Sequence, residues 1–143
     1  MFVNYRVLLP LSLAIFVLGL VLGNINPVAA QSSDRVFELR TYTAAPGRLD
    51  ALHARFAEYT IQLFERHGMT NIGYFSPQDG PLSESTLIYL LAHDSREAAE
   101  ASWAAFRADP EWQSVAEETQ RDGRIVEKVE SVFLDPTSYS RMR

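Results

Sequence analysis

There is no cysteine among the 143 residues. A disulfide framework, a thiolate metal cluster and a cysteine nucleophile are therefore excluded, and no thiol is available for lipid attachment. Basic charge is also scarce: 13 Lys and Arg stand against 18 Asp and Glu, for a net charge of -5. No stretch of them is dense enough to neutralise a row of phosphates, which disfavours nucleic-acid binding. The sequence carries no glycine-rich phosphate loop, no serine nucleophile elbow and no paired-carboxylate motif, so no cofactor is expected. His53, His67 and His93 do not follow a metal-ligand spacing, and neither a zinc nor a copper site is expected. What is abundant is apolar material, 47% of the chain, enough for one core.

That material is unevenly placed. Val7 to Leu22 is almost continuously aliphatic, and Arg6 is the only charged residue before Asp34. Pro27-Val28-Ala29-Ala30 then sets small residues where a signal peptidase reads, which predicts a signal peptide over residues 1–30 with cleavage before Gln31. The alternative is an uncleaved anchor, but a run of about 16 residues broken by Pro10 and Ser12 is short for a span of about 20. The expectation is a periplasmic or secreted protein without stable membrane insertion.

After a polar leader over residues 31–35, Val36 to Tyr42 alternates with period two, as a strand does. Ala45-Pro46-Gly47 turns the chain, and Leu49, Leu52, Phe56, Tyr59, Leu63 and His67 trace one stripe of an amphipathic helix that Gly68 ends. Asn71–Phe75 and Thr86–Ala92 read as two strands joined by a loop of turn formers, Ser76 to Pro81. Asp94, with Glu97 three residues on, is a plausible cap for a helix reaching Ala108. Asp109-Pro110 starts another, which should turn Trp112, Val115 and Ala116 inward and run to Asp122-Gly123. Ile125–Leu134 is the last strand, and residues 136–143 form a tail. The order β-α-β-β-α-β over residues 36–135 predicts an α+β, ferredoxin-like domain, a four-stranded antiparallel sheet with helices on one face. Ile88 and Leu90 oppose Leu87, Tyr89 and Leu91 across the third strand, so the face without helices is apolar too and is expected to meet a second copy.

Val36-Phe37-Glu38-Leu39-Arg40-Thr41-Tyr42 followed by Pro46-Gly47, then Glu65-Arg66-His67-Gly68, Gly80-Pro81-Leu82 and Ala108-Asp109-Pro110-Glu111-Trp112-Gln113, resemble the NIPSNAP family in order and spacing. The resemblance spans about Val36 to Leu134. It implies a ferredoxin-like subunit that pairs into a dimeric α/β barrel, often with a cavity. Related barrel families include cofactor-independent monooxygenases and haem-degrading enzymes, whereas NIPSNAP proteins are mostly linked to interaction and trafficking, so fold kinship fixes no reaction.

Alternation puts Glu38, Arg40 and Tyr42 on one face of the first strand. Phe37 and Leu39 are the better match for the helix-covered side, so the three polar residues are expected to face the barrel interior. There they could orient a small, partly apolar or carbonyl-bearing ligand, with Arg40 as a bidentate clamp, or could form only a structural ion pair. Tyr74, Trp103, Phe106 and Trp112 could line a pocket or simply form core. His67 is a candidate proton-transfer group, with Tyr42 as a second, although a histidine at a helix end also serves the helix dipole. The loop from Pro77 to Leu82 could gate a cavity. The leading expectation is a homodimeric small-molecule-binding module. A cofactor-independent monooxygenase- or isomerase-like enzyme, or an envelope interaction scaffold, are the alternatives.

Overall fold

The computed structural model describes residues 35–142. The expected signal segment, the cleavage site before Gln31 and most of the leader lie outside the described residues. Four strands, β1 (Val36–Ala44), β2 (Thr70–Phe75), β3 (Thr86–His93) and β4 (Val126–Leu134), form one antiparallel sheet in the order β2-β3-β1-β4. This is the split arrangement expected from the element order, with the first and third strands at the centre. A bulge between Asn71 and Gly73 takes Ile72 out of the β2 register.

The first helical segment is interrupted. α1 (Leu49–Arg55) passes through a π-turn (Phe56–Thr60) into α2 (Ile61–Arg66), and the Ile61 N–H donates five residues back to the Phe56 carbonyl. The extra residue rotates the buried stripe. Leu52, Phe56 and Leu63 are buried as the periodicity predicts, but Thr60 and Phe64 join them while Tyr59 is turned out to 40% exposure. Gly68 ends the segment at φ +78°, a conformation that favours glycine.

α3 (Arg96–Ala108) is capped by Ser95, whose hydroxyl accepts from the Ala98 N–H at 3.1 Å, not by Asp94 as the sequence suggested. Ser95 has the extended backbone that a cap requires, and its short side chain reaches the third amide of the helix. Asp109 caps α4 (Pro110–Thr119) by accepting from the Glu111 N–H at 2.8 Å, with Pro110 in the first turn. α4 ends earlier than expected and buries no side chain completely; Trp112, Val115 and Ala116 are only half-buried.

The helices cover one face of the sheet. Leu87, Tyr89 and Leu91 of β3 meet Leu52, Phe56, Leu63, Phe64, Trp103 and Phe106 in the core. The pairing register puts Leu39, Thr41, Ile88 and Leu90 on the opposite, open face, with Val132 and Leu134 from β4 and Phe75 from β2. Phe75, Val132 and Leu134 are exposed there. The tail returns over one end of this face, where Phe37, Leu90, Leu134, Pro136 and Met142 line a shallow cavity of about 250 Å³.

Candidate functional site

β1 projects Glu38, Arg40 and Tyr42 to the helix side, not into a barrel interior, and this corrects the face assignment made from the sequence. Alternation fixes which residues share a face but not which face the helices cover. Phe37 and Leu39 take the open face, and Phe37 is buried there under the tail rather than under helices. The polar set can go inward because donors are waiting for it.

Glu38 is 1% exposed and its carboxylate accepts from four side chains. Arg40 (2.6 Å) and Ser131 (2.6 Å) donate to Oε1, and Trp103 Nε1–H (2.7 Å) and His93 Nε2 (3.1 Å) face Oε2. Burial alone would push this carboxyl up. The bonds from His93, Ser131, Trp103 and Arg40 outweigh it and bring Glu38 down to about 2 from 4.5. With its acceptor sites taken, Glu38 is an anchor and not a base. His93 presents Nε2 to the carboxylate, which leaves its buried Nδ1 without a partner among the described residues.

Arg40 is positioned from three sides. Its NH1 is held by Glu38, its guanidinium carbon lies 4.2 Å from the Trp103 ring centroid, and its NH2 is 3.5 Å from the Tyr42 hydroxyl. Burial pulls its proton affinity down, and the phenols of Tyr89 and Tyr42 together with Glu38 more than offset that. Tyr42 packs edge-on against Phe56 and Tyr89, and Tyr74 stacks on Tyr89 at 5.4 Å. The Tyr74 hydroxyl donates to Asn71, and burial raises its pKa. Burial also raises Tyr89 well above its ordinary value, and the neighbouring Tyr42 phenol raises it further. The helix layer stops short of β4, since Val129 and Ser131 are exposed although they lie on the same side as Tyr42 and Arg40. This edge is the open side of the cluster.

The remaining candidates lie elsewhere. His67 Nε2 meets Asp109 Oδ2 at 2.7 Å and its ring rests on Phe106, so it ties the end of α2 to the cap of α4. The hydrogen bond from His67 lowers the Asp109 pKa. The two candidate proton-transfer groups are thus placed in different surroundings, His67 against Asp109 and Tyr42 beside Arg40. His53 lies 3.4 Å from the Ser76 hydroxyl. The loop after β2 is exposed and holds a short 3-10 turn, Pro81–Glu84. No group of three metal-ligating side chains occurs among the described residues, and no described helix is long and apolar enough to cross a membrane.

Sequence reasoning missed His93, Ser131 and Arg55. His93 and Ser131 become visible only through strand pairing, which sets them beside β1. Arg55 carried a signal: it sits between Leu52 and Phe56 on the apolar stripe, where a solvated arginine does not belong.

The sequence profile of NIPSNAP matches residues 37–141. Among solved structures, a NIPSNAP family protein of unknown function from Agrobacterium tumefaciens superposes with a TM-score of 0.67 at 24% identity, covering 78% of this chain and 96% of that one. An uncharacterized NIPSNAP-like domain protein from Burkholderia xenovorans gives 0.65 at 23% identity, with 76% and 90% covered. SnoaB, a cofactor-independent oxygenase from Streptomyces nogalater, shares the fold at a TM-score of 0.50 and 13% identity, with 76% and 98% covered. No curated protein matches.

Proposed function

This chain belongs to the NIPSNAP family, and from that premise we propose that it acts outside the cytoplasm as a homodimer that binds a small organic molecule between its sheet and its helices. The observation that carries the binding reading is a set of buried polar atoms with no partner among the described residues. Arg40 Nε, Arg55 Nε and His93 Nδ1 lie in and beside one aromatic-walled layer. An unpaired buried polar group costs about 1–3 kcal/mol, so several in one place are a poor arrangement for a core and a good one for a binding site. Beside them Glu38 is fully bonded, which fixes Arg40 in advance of any ligand.

The dimer reading is supported by the open sheet face. Leu39, Ile88 and Leu90 sit at its centre and Phe75, Val132 and Leu134 stand exposed around them, a patch that a second copy can cover with the same patch. Export is supported by Arg6, the aliphatic run after it and the small residues before Gln31.

Native mass spectrometry of protein recovered from the extracytoplasmic fraction tests all three together. The expected species is a dimer of chains beginning at Gln31 with a bound organic molecule. A ligand-free protein from every expression host would remove the binding reading, and a chain retaining Met1 in the membrane fraction would show an anchor.

A further inference from the structure

Arg55 is the residue that the Glu38 network does not account for. It lies on the buried side of α1 and is 5% exposed, with its guanidinium carbon 5.4 Å from the Trp112 ring centroid. Among the described residues no carboxylate or carbonyl bonds to its side chain, and its Nε is buried without a partner. The ionisable groups acting on it are the phenols of Tyr42 and Tyr89, the same two that act on Arg40. Neither residue carries a carboxylate, so neither supplies the counter-ion that Glu38 gives Arg40. Arg40 already has Glu38. The cluster therefore holds two guanidinium groups and one carboxylate, and among the described residues Arg55 has no counter-ion; its Nε is sealed from solvent while its two terminal nitrogens still reach it.

Burial lowers the proton affinity of Arg55, yet an arginine does not lose its proton near neutral pH, so its charge is met by solvent at the two terminal nitrogens unless an anion takes that place. A largely buried cation without a counter-ion is costly, and an anion reaching those nitrogens offsets that cost. Two features of the surroundings suit a ligand. The helix opens into the π-turn immediately after Arg55, with the Thr60 hydroxyl donating to the Arg55 carbonyl at 3.2 Å, and such insertions recur at functional sites. α4, which lays Trp112 over the guanidinium, is the least anchored helix of the layer because it buries no side chain completely.

We propose that Arg55 binds the carboxylate of an organic monoanion whose apolar body lies among Tyr42, Phe56 and Trp112. One unmatched charge calls for one negative charge, which a carboxylate supplies and a phosphate dianion exceeds. The planar fork of the guanidinium donates two parallel hydrogen bonds to a carboxylate, and the Phe56 and Trp112 rings offer no competing acceptor. This rests on the ligand-binding reading above and narrows it to a class of ligand.

The test titrates the full chain with 3-phenylpropionate, octanoate and the neutral 3-phenylpropionamide. Binding is followed by melting temperature and by the fluorescence of Trp103 and Trp112, the only two tryptophans of the protein. Phenylpropionate is expected to bind at least about tenfold more tightly than its amide, the effect of one charge-assisted contact. Arg55→Met should abolish that preference while melting no lower than the unliganded wild type, because it removes the unmatched charge and keeps the packing. Arg55→Lys should keep a weakened preference, which preserves the test if the methionine variant fails to fold. Equal binding of acid and amide would overturn the anion reading while leaving a ligand site in place. An undiminished preference in Arg55→Met would overturn the assignment to Arg55. No saturable response to any of the three probes would overturn the proposal, and a retained molecule in native mass spectrometry would then show that the broader reading survives it.

Discussion

Glu38→Gln is the sharpest probe of how the interior is held together, because it removes one charge and almost no volume. The carboxyl sits at about 2 in the folded protein against an ordinary 4.5, which corresponds to about 3 kcal/mol of folding stability at neutral pH. The sign follows from the direction of the change. A carboxyl held low in the folded state contributes fully above about pH 4.5, and the contribution is lost as the pH falls toward about 2, where the unfolded chain takes up a proton that the folded one resists. The glutamine variant lacks the contribution at every pH and also strands Arg40 over Trp103, so it should be less stable than wild type by about 3–5 kcal/mol near neutrality. Urea unfolding of both proteins at intervals from about pH 7 to about pH 2 measures the difference, in which the surface carboxylates cancel. The gap should be flat above about pH 5 and narrow by about 3 kcal/mol below it. A gap that stays constant down to about pH 2 would refute the claim that four donors hold this carboxylate ionised. In the double variant Glu38→Leu with Arg40→Met much of the stability should return, since the greater cost lies in orphaning one partner.

Substitution of neighbouring β3 residues should separate the two sheet faces. Leu90→Asp, on the open face, should yield a folded monomer in sedimentation velocity, whereas Tyr89→Asp, fully buried against Phe56 and Phe64, should not fold; a dimeric Leu90→Asp would place the partner elsewhere. Ser95→Ala should lower stability by about 1 kcal/mol in chemical denaturation while Asp94→Ala leaves it nearly unchanged, and the reverse order would return the cap of α3 to Asp94.

The strand and helix order, the antiparallel pairing and the shared face of Glu38, Arg40 and Tyr42 were legible because they depend on local period and turn chemistry, which neighbouring residues determine. The stripe through Leu52, Phe56 and Leu63 gave the first helix, and Asp109-Pro110 gave the start of α4 to the residue. The apolar character of both β3 faces was legible for the same reason.

Three things were decided only by the tertiary structure. Which face of β1 the helices cover is a global choice: a period of two is symmetric, and only the reach of Trp103, His93 and Ser131 to one carboxylate makes a charged residue the buried one. The π-turn costs one residue of register that no local signal announced, and it decides that Phe64 rather than Tyr59 enters the core. The separation of His67 from Tyr42, and the placing of Arg55 with Arg40 around the same two tyrosines, arise from elements far apart in the chain. Local chemistry specified the elements of this protein, and long-range packing decided where its charges are buried, because the cost of a buried charge depends on partners that only the assembled fold brings within reach.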